Sequence, residues 1–315
     1  VGTTNLLFIY LFLINPQGYL PCLSLCGRAK EREEAKIIAE LRRRFPLKIL
    51  LKISCLPRST FYYHVKAGKT DRDSADKQAI MEVFEKNGQR YGYRRIAYAL
   101  QEKGIKINHK KVRRLMKMLG IRGKTRKNGK YHSYKGEVGT VADNLLSRDF
   151  HAENACEKLA TDVTQFNVCT TKVYLSPIMD LYNNEIMSYS ISLHPDLAQI
   201  REMLDGLSKK LPKDATPILH SDQGWQYQHA EYQRYLKEHN ITQSMSRKGN
   251  CMDNGAMECF FGRLKVEMFY GEKFESVEDF MQKLREYISY WNNERISLKL
   301  KGMSPVGYRT HSHTI

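Results

Sequence analysis

The chain has 315 residues, 42% of them apolar, which is enough for two or three domains with ordinary cores and excludes a disordered polymer. Its net charge of +17 is unevenly spread: residues 1–150 carry 32 Lys/Arg against 13 Asp/Glu, and residues 151–315 carry 19 against 21. A basic front half suits a polyanionic partner, because each phosphate neutralised by Lys or Arg releases condensed counterions; a merely solvated basic surface is the alternative.

The seven cysteines include no CxxC pair, and no His pair has zinc-ligand spacing, so a zinc site and a disulfide framework are both unsupported and a reduced cytosolic setting is expected. The apolar run 6–14 is too short to span a bilayer and lacks a preceding positive charge, so neither a membrane span nor a signal peptide is expected.

In chain order, residues 1–30 stay unassigned. Charge and period predict a helix over 31–44. Pro46 opens a second, with Leu47, Leu50, Leu51 and Ile53, that breaks at Pro57, and Ser59 or Thr60 is expected to cap a third holding Phe61, Tyr62 and Val65. Residues 31–70 therefore read as helix-turn-helix-like, with a plain helical hairpin as the alternative.

Residues 71–130 read as a second helical, DNA-binding domain. Ile80, Val83 and Phe84 line one helix, and Tyr91-Gly92-Tyr93-Arg94-Arg95 opens another. Asn108 is expected to cap a third helix that Gly120 closes. Val112, Leu115, Met116 and Leu119 point inward there, and the other face holds Lys110, Lys111, Arg113, Arg114 and Lys117, a cationic surface suited to phosphates. A basic linker is expected over 131–155.

From residue 156 to 270 the period changes. Strands are expected over 159–168, 172–182 and 185–193 in an antiparallel meander, with Pro177 marking a bulge or break. A helix with Leu197, Ile200, Met203, Leu204, Leu207 and Leu211 inward follows, then a strand at 217–221, a helix near 230–237 and a strand at 241–245. The loop 246–253 leads into a helix with the stripe Met257, Phe260, Phe261, Leu264 and Met268. That order specifies a mixed α/β sheet, with residues 271–315 as a helical extension.

Asp162 falls inside the first strand, Asp222 just past the fourth, and Glu258 in the first turns of the last helix. Converging carboxylates are what a hard divalent cation needs, although any one of the three alone is more simply a cap or a solvated charge.

The words around them decide between these readings. Asp222 and Glu258 are separated by 35 residues, the spacing of the Asp, Asp-35-Glu transposases and retroviral integrases. The strings Thr161-Asp162-Val163-Thr164, His220-Ser221-Asp222-Gln223-Gly224, Ser244-Met245-Ser246-Arg247-Lys248-Gly249-Asn250, Asp253-Asn254, Phe260-Phe261-Gly262-Arg263-Leu264-Lys265 and Trp291-Asn292-Asn293-Glu294-Arg295 resemble the OrfB-type transposases of the third insertion-sequence family. The resemblance covers about residues 35–310.

The resemblance implies a ribonuclease H-like catalytic core that cleaves and joins DNA at the terminal inverted repeats of an insertion sequence. Asp162, Asp222 and Glu258 are then the catalytic residues and the ligands of two magnesium ions, for which manganese can substitute. Lys265, two turns after Glu258, and Arg247 and Lys248 in the preceding loop become DNA-binding candidates, together with Arg94, Arg95, Lys110, Lys111, Arg113 and Arg114.

The implied partners are double-stranded DNA (terminal repeats and target), an OrfA-type protein or fusion, and further copies of the chain. The implied place is the bacterial cytoplasm at the nucleoid. The first methionine is Met81, so either an alternative start codon is used or the frame is entered from another one; the second fits the family, and we expect that residues 1–30 derive partly from sequence outside the normally expressed frame. Three positions depart from the family pattern, namely Leu159, Gly255 and Cys259, and none removes a carboxylate. The competing classes are a DNA-binding regulator without catalytic activity and a nuclease without joining activity.

Overall fold

The computed structural model describes residues 28–69, 73–125, 141–247 and 251–312. Residues 1–27 of the unassigned N-terminal segment and residues 131–140 of the expected linker lie outside them. The chain forms two units, Val1–Gln78 and Ala79–Ile315.

In the first unit three helices, α1 (Arg28–Leu41), α2 (Leu47–Ser54) and α3 (Arg58–Lys69), close around Ala35, Ile38, Leu50, Leu56 and Phe61. Cys55 ends α2 in the left-handed conformation (φ 56°), and the Phe61 N–H donates to the Pro57 carbonyl at 3.0 Å. Helix α3 thus starts at Arg58, so Ser59 and Thr60 lie in its first turn and do not cap it.

The second unit begins with a helical bundle. Helix α4 (Ser74–Lys86) crosses the unit boundary, and its Ile80, Val83 and Phe84 pack with α5 (Tyr93–Glu102) and α6 (His109–Met118) around Tyr91, Ile96, Leu100, Val112, Leu115 and Ile296. The Asn108 Oδ1 caps α6 by accepting from the Lys110 N–H at 2.8 Å, and Gly120 follows its end at φ 68°. Gly123 passes against the backbone of Tyr91, where an added Cβ would lie 2.6 Å from the carbonyl.

The sheet then forms from β1 (Lys158–Thr161), β2 (Thr164–Val168), β3 (Thr171–Asp180), β4 (Ile186–Ser192), β5 (Ile218–Ser221) and β6 (Thr242–Met245). β1 and β2 both run antiparallel to β3 in one unbroken register, so the first expected strand is a single course interrupted at positions 162–163. That gap faces Pro177 and Ser176, and proline has no N–H to give the ladder. Pro177 itself stays in β3, and the bulge comes one step later, between Ile178 and Met179. β4 flanks β3, while β5 and β6 extend β1 in parallel.

Both faces of the sheet are covered. On one, α7 (Leu197–Ser208) and α8 (Ala230–Glu238) bury Ile200, Met203, Leu204, Leu207, Tyr232 and Leu236 against Leu159, Ile178 and Leu219. On the other, α9 (Gly255–Leu264) and α10 (Val277–Asn293) bury Met257, Phe260, Phe261, Leu264, Phe280, Leu284 and Trp291 against Ala160, Phe166, Val173 and Leu175. The stripe that ends in Met268 is the one the helical period predicts. After Leu264 the winding changes to a π turn, Lys265–Phe269. A short helix α11 (Pro305–Ser312) follows, fastened by Arg309 to Glu185 at 2.8 Å.

The Trp291-Asn292 part of the C-terminal motif is structural. The Trp291 indole N–H donates to the Asn184 carbonyl at 2.9 Å. The Asn292 side chain accepts from the Ile186 N–H and donates to the Ile186 carbonyl, occupying the open edge of β4. Among the described residues no helix is long and apolar enough to cross a membrane.

Candidate active site

Asp162 and Asp222 each follow the end of a strand, and those strands are parallel neighbours. Carried two positions past its last pair, the register that joins Leu159 to Leu219 and Ala160 to His220 brings Asp162 opposite Asp222, whose charge acts on it. Adjacent strands lie about 4.8 Å apart, so the two carboxylates are delivered to one place by the sheet itself.

Their surroundings are costly for negative charge. Burial, then the neighbouring Asp222 carboxylate, pushes Asp162 well above the usual carboxylate range; the Val163 N–H opposes this, and Glu258 adds to the upward push. Burial likewise raises Asp222, against the Gly224 N–H that donates to it. Each aspartate spends its Oδ1 on a local backbone N–H, from Val163 at 2.7 Å and Gly224 at 2.9 Å. Among the described residues the other oxygen of each accepts no hydrogen bond.

Glu258 comes from α9, which packs against β1. The junction is made by Asn254, whose amide donates to the Thr161 carbonyl at 3.4 Å, directly before Asp162. Among the described residues, however, no group of three or more His, Cys, Asp or Glu side chains is arranged to hold a metal ion. The sheet assembles the two aspartates, and Glu258 reaches Asp162 electrostatically without completing a ligand set. The donors still suit a hard cation: they are all oxygens, and Asp162 and Asp222 each leave one oxygen unused.

Lys265, at the start of the π turn, shares this environment. Burial lowers its ammonium pKa and Asp162 raises it, and its Nζ sits 5.4 Å from the centre of the Phe166 ring. Its approach to Asp162 follows from the two-turn spacing after Glu258.

The loops around Asp222 are tied down. The Ser246 N–H donates to the Ser221 carbonyl at 2.8 Å, and the Gln223 amide donates to the Ser246 carbonyl at 3.0 Å. His220 is fully buried, its Nδ1 is 2.8 Å from the Ser244 hydroxyl, and burial lowers its pKa, all of which suits a structural imidazole. Tyr227 is core, whereas Trp225 beside it is 48% exposed.

The basic candidates are placed differently from one another. Arg94, Lys110, Arg113 and Arg114 are exposed, Lys111 is half-buried, and Lys248 lies outside the described residues. Arg113 and Arg94 both lie over the Tyr93 ring, each 5.7 Å from its centre. Arg247 is exposed and ion-paired to Asp253 at 3.0 Å.

Arg95 has another use. Its side chain is 15% exposed and pairs with the buried Glu267 at 3.3 Å, which gives it a structural contact that Arg94 lacks. Glu267 also accepts from Nη2 and Nε of Arg295, at 2.6 and 2.8 Å, and from the Tyr287 hydroxyl at 3.0 Å. Burial works to raise this carboxyl, but Arg295, Arg95 and Tyr287 prevail and hold it down to about 2. The Glu267 carbonyl in turn accepts from Arg90 and Lys124 at 3.3 and 3.4 Å, so the π turn after α9 is the anchor of the helical bundle. A single sequence carries no sign of this pairing, because the partners are 28 and 172 residues away.

The sequence has counterparts among known proteins. Models described as "Integrase core domain" match residues 152–251 and 258–313, and one described as "HTH-like domain" matches residues 71–129. The chain is 50% identical over 279 residues to a protein of Escherichia coli K12 named as transposase InsK for insertion sequence element IS150, covering 88% of this chain and 98% of that one. The chain belongs to the OrfB-type transposases of the third insertion-sequence family. Transposase InsF for insertion sequence IS3A, also of Escherichia coli K12, is 31% identical over 270 residues, 83% of this chain and 93% of that one.

Among solved structures, the HTLV-2 integrase catalytic core domain in complex with magnesium is similar over 49% of this chain and 96% of that one, at 14% identity and a TM-score of 0.37. Membership brings the ribonuclease H-like, mixed-sheet class expected from the sequence, with which the sheet order agrees, and an integrase-type enzyme whose class of activity is DNA transposition. The helix-turn-helix match falls on the bundle of α4 to α6 and not on α1 to α3.

Proposed function

We propose that this transposase cuts and joins DNA at the inverted repeats of its own insertion sequence, using two magnesium ions held by Asp162, Asp222 and Glu258. Manganese is the expected substitute. What supports the reading is the placement of Asp162 and Asp222 just past adjacent parallel strands, together with the burial that raises both carboxyls.

When bound, the metal pair supplies charge neutralisation for phosphoryl transfer and activates the attacking hydroxyl. The protein's own tasks are to hold the aspartates in line and to bring Glu258 up through α9. Lys265, Arg247 and Lys248 hold DNA near the carboxylates, and Arg94, Lys110, Lys111, Arg113 and Arg114 bind phosphates from the bundle.

The domain scheme we propose keeps residues 71–130 as the repeat-binding part and 156–270 as the catalytic core, with 31–70 as a further helical DNA-binding segment. The active complex contains more than one copy, since two DNA ends are joined, and an OrfA-type partner or fusion completes it. The test is a labelled duplex ending in the flanking inverted repeat, incubated with magnesium or with EDTA. Magnesium-dependent nicking at the repeat terminus that vanishes in Asp222→Asn supports the reading. Binding without cleavage, persisting when the OrfA-type part is added, replaces it with a DNA-binding regulator.

A further inference from the structure

Asp253 lies five residues before Glu258 and takes no part in the reaction proposed above, yet its side chain is completely buried. Both its oxygens are occupied by cations. Oδ1 accepts from Arg148 Nε at 2.8 Å and Arg247 Nη2 at 3.2 Å, while Oδ2 accepts from Arg247 Nε at 3.0 Å, the Arg247 N–H at 3.1 Å and the Asn144 amide at 3.1 Å. Led by the Arg247 hydrogen bond, these contacts hold the Asp253 carboxyl far below the ordinary range, so it stays charged.

The arginines are not buried with it: the Arg148 side chain is 42% exposed and that of Arg247 is 59% exposed. Among the described residues both terminal nitrogens of Arg148 and the Nη1 of Arg247 meet no acceptor. Two guanidinium groups are thus gripped by their inner edges, with outer donors open and one net positive charge between them. The grip is built with some effort. Ser147 and Arg148 are consecutive non-glycine residues in the left-handed region, at φ 46° and 69°, and Asn144 holds their turn by accepting from the Ser147 N–H at 2.9 Å.

The pair also stands at the right end of the sheet. Ser246, next to Arg247, is bonded to the residue before Asp222, and Asn254, next to Asp253, is bonded to the residue before Asp162.

We propose that Asp253 is a positioning residue that presents Arg148 and Arg247 as a clamp for a DNA backbone phosphate beside the one that reacts. The inference rests on the transposase reading. It adds Arg148 as a DNA-contacting residue and gives Asp253 a purpose. Guanidinium suits this task, since its planar fork meets a phosphate with two parallel donors once its rotation is fixed.

The test uses the full chain and a fluorescent terminal-repeat duplex, titrated in EDTA between 50 and 200 mM salt and then cleaved with magnesium. Arg148→Ala and Arg247→Ala should each make the affinity loss over that range roughly threefold smaller than for the unaltered chain, the share of one phosphate. Arg148→Lys should restore the salt response. Asp253→Asn, which keeps both cations but loosens them, should retain the salt response and spread cleavage over neighbouring phosphodiesters. An Arg148→Ala chain with unchanged salt response and cut position, whatever its melting temperature, overturns the inference alone. An unaltered chain that binds no duplex overturns the transposase reading and the clamp together.

Discussion

Arg295 grips Glu267 through Nη2 and Nε of its guanidinium, at 2.6 and 2.8 Å, in a place where each side chain is only 4% exposed. Removing one member of a buried pair leaves the other charge uncompensated, which costs about 3–5 kcal/mol. Glu267→Gln should therefore destabilise the fold by that amount in urea unfolding. A loss below about 1 kcal/mol would mean that the pair is not the anchor of the bundle.

The same carboxylate sets an acid limit. Its folded pKa is depressed to about 2, against an ordinary value of 4.5, so its contribution is present above pH 4.5 and is lost as pH falls toward 2. The contribution is of order 3 kcal/mol. Asp162 and Asp222 are shifted the other way and gain from acid, so the comparison is with Glu267→Gln: the unaltered chain should lose its stability advantage over that variant within this window. Parallel stability curves for the two proteins would contradict the assignment.

The aspartates are stressed without a cation. In EDTA at pH 7, Asp222→Asn should melt at a higher temperature than the unaltered chain, because it removes one of two like charges. Magnesium should reverse the order. At a hundredfold excess over Kd a bound ion stabilises by about 2.7 kcal/mol, and the variant should gain far less. Equal magnesium responses in calorimetry would count against the aspartates as ligands.

Two glycines should respond to alanine in opposite ways. At Gly123 the new methyl meets the Tyr91 carbonyl at 2.6 Å, so Gly123→Ala should cost about 1–3 kcal/mol. At Gly255, in the first turn of α9, nothing lies within 4 Å, and Gly255→Ala should stabilise by up to about 1 kcal/mol. Thermal unfolding of the two variants checks both.

Neighbours in the Tyr91-Gly92-Tyr93-Arg94-Arg95 motif should also separate. Arg94→Ala should reduce the salt dependence of DNA binding by about one phosphate with the fold intact. Arg95→Ala should lower the unfolding midpoint through Glu267 and leave the salt slope near its original value.

What could be read from the residues follows a physical boundary. Strands and helices whose side chains alternate or recur, such as β2 or the Met257 to Met268 stripe, announce themselves, since burial imposes a period. So does Asn108, whose cap is local. The interruption of the first strand opposite Pro177 was only half visible: the proline marked trouble, but its effect falls on the neighbouring strand, at the very position of Asp162. The partners of Glu267 and Asp253 were invisible, because an ion pair leaves no period, and a DNA-facing arginine looks the same in a sequence as one that is buried.

The π turn after α9 sets a rule about length. Each residue added to or taken from a helix turns everything beyond it by about 100°. Deleting Val266 would let the helix relax into ordinary winding, yet it would shorten the run from Glu258 to Glu267 by one step and so turn Glu267 away from Arg295 and Arg95 while leaving Glu258 where it is. The nine steps from Glu258 to Glu267 therefore work as a ruler between the chemistry and the bundle, and the distance they measure off is fixed in residues as firmly as the residues themselves.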